Sequence, residues 1–322
     1  ALHAMLAHWG YFQFRLGKGE AAYHILSSSA AFLRTSVEPV AAVYALYYLG
    51  NDCCILGKFA EANDSLKEGR RLAQEYGEQW FEAMNSEFLG RVAIEQGEYD
   101  QARQYLSEAL SILRLLGDPS MIAHALSYLG RAMQLLGEYR EAEKLLRESL
   151  ELSRENEYHV AMSLALFGLG KIAYIEAHYE EAQPFFSESA RLFQEIGDTH
   201  PLSRTLYHRG LNSMALGDSA AAQNDFCTAL KLAFDGGFTP ATLNALTGLA
   251  ALESRQKASP ETFELVLYIA QHPSSTQETK NLAVQLQMEV AAKLPPEQVE
   301  AAEQNIGLKS LGEFVQLFSP VS

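Results

Sequence analysis

The chain has 322 residues, 48% of them hydrophobic and 20% charged, enough for two domains or one extended array. Its 25 Lys and Arg stand against 40 Asp and Glu, a net charge of −15, and a surface of that sign repels a phosphate backbone, which excludes nucleic acid as a direct partner. Three cysteines, Cys53, Cys54 and Cys227, suit neither a disulfide framework nor a zinc site, and no apolar run reaches the ~18 residues that cross a bilayer, so a cytoplasmic protein without membrane contact is expected.

The chain opens at Ala1-Leu2-His3 already inside a helical pattern and without an initiator methionine, as a fragment of a longer protein would. Self-similarity then decides the reading. Gly10, Gly50, Gly90, Gly130, Gly170 and Gly210 stand 40 residues apart, and Ala250 extends the series. Gly17, Gly57, Gly97, Gly137, Ala177 and Gly217 follow seven positions later, and Ala22, Ala62, Ala102, Ala142, Ala182, Ala222 and Ala302 share a third phase.

The clearest unit runs from Asp118-Pro119 to Leu150 and predicts a helical hairpin. Leu126 and Leu129 share one helical face, and Ala142, Leu145, Leu146 and Ser149 repeat the pattern on a second helix after Gly137. Small residues at Gly130 and Ala142 are expected to let the two helices approach closely. Gly77, Gly117, Gly197 and Gly237 fall where left-handed capping residues end the second helices, and Asp118-Pro119 or Glu38-Pro39 starts the next.

Past Gly237 the pattern decays. Leu246, Leu249 and Ala250 keep the first-helix phase, but Ser254 to Pro260 and Gln271 to Thr276 predict loops. Leu294-Pro295-Pro296 stops one helix and starts another at Glu297, and Leu311, Phe314, Val315 and Phe318 form the apolar stripe of a last short helix. Two regions follow: regular repeats over 1–237, and degenerate hairpins with a C-terminal cap over 238–322, joined in one continuous superhelix whose terminal face needs covering. Exposed apolar residues at the decayed end are candidates for self-association.

These residues resemble the tetratricopeptide repeat, whose signature spaces Leu, Gly, Tyr, Ala and Ala as in Leu129-Gly130, Tyr139 and Ala142. The resemblance implies an all-α, right-handed α-solenoid of antiparallel helical hairpins, seven to eight in number. The family's unit is about 34 residues, so the longer period here is expected to lengthen both helices by ~4–5 Å each.

In that family the first helix of each hairpin lines the concave groove, with ligand contacts at the residue after the glycine and three and six before it. Carried over, this nominates Asn51, Arg91, Arg131 and Lys171 after the glycines, Tyr47, Phe167 and Tyr207 three before, and Tyr44, His124 and Arg204 six before, with Tyr174 alongside. Such a groove suits a protein, a peptide or an anionic small-molecule inducer, because arginines offer bidentate donors and tyrosines offer broad contact at low entropic cost. The alternative is a solvated face, with Arg91 paired to Glu87 four residues earlier and the aromatics in the core. Charge reversal at Arg91 and Arg131 together is expected to abolish ligand response without unfolding.

The histidines, among them His124, His159, His178, His200 and His208, show no repeated His/Glu spacing that would make a metal or acid/base site, and structural roles are expected for them. Neither a phosphate-binding GxxxxGKS loop nor a GxSxG elbow occurs, so no catalytic residue, cofactor or metal is nominated. The 40-residue period with Leu116-Gly117-Asp118-Pro119 and Ile196-Gly197-Asp198-Thr199 resembles the C-terminal sensor region of bacterial signal-transduction ATPases with numerous domains and of related transcriptional regulators. That resemblance implies a nucleotide-binding switch and an effector outside this fragment. Two alternatives remain: a peptide-gripping scaffold or adaptor, for which only Leu49-Gly50-Asn51 carries the Leu-Gly-Asn triplet, and a repeat-containing phosphatase of an aspartyl-phosphate relay, which needs an additional bundle before the repeats.

Overall fold

A computed structural model describes residues 2–15, 19–33, 39–305 and 308–319. Gly17 and Glu38 of the expected series lie outside them. The described residues form helices α1 (Leu2–Arg15), α2 (Gly19–Leu33), α3 (Pro39–Leu56), α4 (Phe59–Tyr76), α5 (Gln79–Gln96), α6 (Tyr99–Leu116), α7 (Pro119–Leu135), α8 (Tyr139–Glu155), α9 (His159–Ile175), α10 (Tyr179–Ile196), α11 (Thr199–Ala215), α12 (Ser219–Asp235), α13 (Thr239–Gln256), α14 (Pro260–Gln271), α15 (Gln277–Ala291), α16 (Pro296–Gln304) and α17 (Leu311–Phe318). No strand occurs among them. They divide into two compact units, Ala1–Asp198 and Thr199–Ser322.

The first unit is five consecutive hairpins, α1/α2 to α9/α10, each packed on the next. The helices of its second to fifth hairpins are 17 or 18 residues long, so two long helices with short turns fill the 40-residue period. The glycine series explains the pairing. A Cβ on Gly130 would sit 2.8 Å from Cγ of Leu146, and one on Gly90 would sit 2.6 Å from Cγ of Leu106. In each hairpin the first-helix glycine faces the residue sixteen positions later, Leu26, Leu66, Leu106, Leu146 and Phe186 in turn. Each of those large side chains is fully buried, occupying the space a side chain on the first helix would fill.

The turns follow the same period. The first helices of the second to fourth hairpins end in left-handed Gly57, Gly97 and Gly137, and three second helices end in Gly77, Gly117 and Gly197. At the two equivalent positions that lack glycine, Glu157 and Ala177 adopt φ of 58° and 60°, a conformation that costs a residue bearing a Cβ about 1 kcal/mol or more. Asp118 caps α7 by accepting a hydrogen bond from the Met121 amide at 3.1 Å.

Two rows run through this unit. First helices touch first helices in succession, α1 to α3, α5, α7 and α9, and so make an inner row. Second helices lie outside and are linked by ion pairs such as Arg70–Glu108 at 2.8 Å and Arg114–Glu148 at 2.7 Å. Partly exposed pairs of this kind contribute at most about 1 kcal/mol each. The apolar cores lie between the rows, for example Leu106, Leu126, Leu146 and Leu166.

The second unit begins with two hairpins of the same design. Gly210 faces Phe226 in α11/α12, and the buried Ala250 and Val266 hold the corresponding positions of α13/α14. Beyond them α15, α16 and α17 replace the regular hairpin, as the decayed pattern predicts. Lys257 to Ser259 and His272 to Thr276 are the intervening loops. Ser310 and Glu313 form a capping box at the start of α17, whose Phe314 and Val315 are buried. Among the described residues no helix is long and apolar enough to cross a membrane.

Candidate functional site

Helical spacing decides which inner-row side chains share a stripe. Tyr44, Tyr47 and Asn51 run along α3, Trp80, Met84, Glu87 and Arg91 along α5, and His124, Tyr128 and Arg131 along α7. Tyr44 packs on Phe81 at 4.2 Å between ring centroids, and Tyr47 meets Trp80 at 6.1 Å and Phe88 at 5.3 Å. Trp80, 36% exposed, carries this aromatic cluster to the surface.

Arg91 is stacked, with its guanidinium carbon 4.1 Å from the Phe88 ring centroid and 4.6 Å from that of Tyr128. Burial opposes its charge, but the fields of Tyr128, Cys54, Glu87 and Tyr47 together raise its pKa above the usual guanidinium range. Arg131 is buried and donates to Glu95 on α5 at 2.9 Å. Charge reversal there would set two carboxylates side by side in the interior, so it tests folding as much as binding.

Glu87 lies on the same stripe with its side chain fully buried. Its Oε1 lies 2.9 Å from Nδ1 of His124, yet neither carboxylate oxygen receives a well-formed hydrogen bond. His124 is 17% exposed and packs edge-on against Tyr128 at 5.1 Å. Asn51 is buried too, and its Oδ1 accepts nothing.

The other nominated residues fall elsewhere. Phe167 is buried against Phe186 in a small apolar cluster with Ala173 and Ala182, and Tyr174 packs at its edge. Lys171 is buried on α9. Arg204 and Tyr207 belong to the second unit, Arg204 partly buried and Tyr207 packed against Phe226. The structure thus brings together Tyr44, Tyr47, Asn51, Arg91, His124 and Arg131 on α3, α5 and α7. The groove-position rule omits Trp80, Phe81, Phe88 and Tyr128. A readable signal existed for two of these: Tyr48, Phe88 and Tyr128 put an aromatic two residues before the glycine in three consecutive repeats.

The sequence profile of the tetratricopeptide repeat matches residues 39–115, 80–155 and 121–195. Residues 39–195 are tetratricopeptide repeats. None of the curated proteins matches the chain significantly in sequence. Among solved structures, NprR in complex with its cognate peptide NprX shares 17% identity at a TM-score of 0.64, over 90% of this chain and 86% of that one. A Rap protein complexed with Competence and Sporulation Factor shares 14% at 0.58, over 97% and 99%. A signal-transduction ATPase with a tetratricopeptide repeat sensor from Pyrococcus horikoshii shares 14% at 0.51, over 97% of this chain and 44% of that one. At these identities the likeness is one of fold.

Proposed function

We propose that the tetratricopeptide repeats of the first unit form a non-catalytic peptide-sensing module, with the α3–α5–α7 stripe as its contact surface. The observation that carries this reading is the combination on that stripe of an aromatic cluster that reaches the surface at Trp80 with buried polar atoms that lack a hydrogen-bond partner, Glu87 and Asn51 foremost. Aromatic walls supply contact area to a peptide at small entropic cost. Buried polar atoms with no protein partner recover their lost solvation from the donors of a ligand. The similarity in fold to NprR with its cognate peptide and to an ATPase with a repeat sensor supports a place within a larger regulator, whose nucleotide-binding switch and effector lie outside this chain.

Binding across successive repeats biases such a switch because each hairpin contacts only its neighbours, so fixing three first helices relative to one another changes the path of the stack. The test is fluorescence polarisation with labelled octapeptide pools on the native chain and on Tyr47→Ala and Trp80→Ala, with melting temperatures as the folding control. Saturable binding weakened at least about tenfold by either aromatic truncation, ~1.4 kcal/mol, is the expected result. Equal affinity in all three proteins refutes this placement of the site.

A further inference from the structure

The hydrogen-bonding capacity left over on this stripe lies mostly with acceptors: three oxygens, against the two nitrogens Nε of Arg131 and Nδ1 of His124. Its cations are engaged, Arg131 with Glu95 and Arg91 over two rings. Its unsatisfied atoms include three acceptor oxygens, both of Glu87 and Oδ1 of Asn51. A carboxylate held out of water without a donor is strongly unfavourable, and the imidazole beside it is out of line for a hydrogen bond despite lying at 2.9 Å. His124 is also the more exposed of the two, 17% against 0%, so it covers Glu87. The chain as a whole is acidic, with a net charge of −15, which favours approach of a positive ligand.

We propose that Glu87 anchors a cationic group of the bound peptide, either its α-ammonium or a lysine or arginine side chain. The cation takes the place of the His124 ring beside Glu87 and donates to the carboxylate oxygens. Tyr128, already in contact with both His124 and Arg91, offers a π face next to it. This assigns the ligand a sign opposite to the anionic inducer expected from Arg91, Arg131 and Lys171, and it rests on the peptide-sensing reading above.

The experiment uses C-terminally labelled basic, acidic and neutral octapeptide pools, the basic pool with free and with acetylated N-termini, on the native chain, Glu87→Gln and His124→Ala. The native chain is expected to bind the basic pool at least about tenfold more tightly than the acidic one. Glu87→Gln is expected to remove that preference and not to lower the melting temperature, because the isostere takes a buried charge away. His124→Ala uncovers Glu87 and is expected to tighten basic-pool binding several-fold. Loss of the preference on acetylation assigns the α-ammonium, and its persistence assigns a side chain; both support the proposal. A preference for acidic peptides, or a basic preference that survives Glu87→Gln, overturns it while leaving peptide sensing intact. Failure of every pool to bind overturns peptide sensing itself.

Discussion

Gly130→Ala sets two effects of opposite sign against each other. Alanine is about 1 kcal/mol better than glycine in a helix interior, so at an open position the substitution stabilises. At Gly130 the new Cβ would stand 2.8 Å from Cγ and 3.0 Å from Cδ2 of Leu146, and 3.3 Å from the carbonyl oxygen of Ala142, which is backbone and cannot swing aside. Nor can Leu146 retreat, because Gly168 of the next hairpin lies against its other side, where a Cβ would meet it at 2.6 Å. Overpacking of this kind costs about 1–3 kcal/mol, and the confinement of Leu146 places it in the upper part of that range, leaving a net loss of about 1–2 kcal/mol. Gly312→Ala is the control: the nearest atom to its added Cβ is 4.0 Å away, and it is expected to stabilise by roughly 0.5–1 kcal/mol. Leu146→Ala alone should cost about 3–5 kcal/mol. In its presence Gly130→Ala should become neutral or stabilising, a coupling of about 1–3 kcal/mol. Urea denaturation followed by far-ultraviolet circular dichroism reads all four proteins, with native-state hydrogen exchange of α7 and α8 for those altered at Gly130 or Leu146 and of α17 for Gly312→Ala. Stabilisation by Gly130→Ala alone, matching Gly312→Ala, refutes the close-packing argument.

Three further outcomes follow from particular residues. Ala177→Gly and Glu157→Gly each relieve a positive φ and are expected to raise stability by about 0.5–1 kcal/mol in denaturant titration, the unfolded-state entropy of glycine limiting the gain; a loss at both would contradict it. Asp52 is buried without a hydrogen bond, and burial raises its pKa to about 8. The folded state therefore holds a proton that the unfolded state releases near pH 4, so stability falls as pH rises from about 4 to 8 and levels off above the folded pKa, by as much as about 4 kcal/mol at pH 7. Asp52→Asn should be near neutral at pH 4 and stabilising at pH 7 and above, as melting temperatures across that range would show; a flat difference refutes it. In the second unit Arg209 donates twice to the buried Asp225, at 2.8 and 2.6 Å. Arg209→Ala strands that carboxylate and should cost more, about 2–4 kcal/mol, than Asp225→Ala, which leaves a guanidinium able to reach water; the reverse order in urea denaturation would refute it.

The repeat was legible because the same physical demands recur every 40 residues. A small residue at Gly90 or Gly130 and a large one sixteen positions on is a pair visible in the one-dimensional pattern, and so is a left-handed glycine at each helix end. The boundary at Asp198–Thr199 was not, since the period runs through it undisturbed. The candidate site was half legible. The family's groove positions, placed on this chain by phase, nominated Tyr47, Asn51, Arg91 and His124, but phase carries no information about neighbours two helices away. Thus Arg91 lies over Phe88 and Tyr128 instead of joining Glu87 one turn before it on the same helix, Arg131 finds Glu95, and Phe167 turns inward to Phe186. Glu87 was readable as a charge at a groove position. Its burial beneath His124 was not, because that depends on the packing of α5 against α7.

The most direct test of peptide sensing on the inner row is hydrogen–deuterium exchange of the native chain with and without saturating basic octapeptide pool. Protection concentrated in α3, α5 and α7, with the outer helices α4, α6 and α8 unchanged, is the predicted result. Protection confined to the outer helices, or to the second unit, would contradict it.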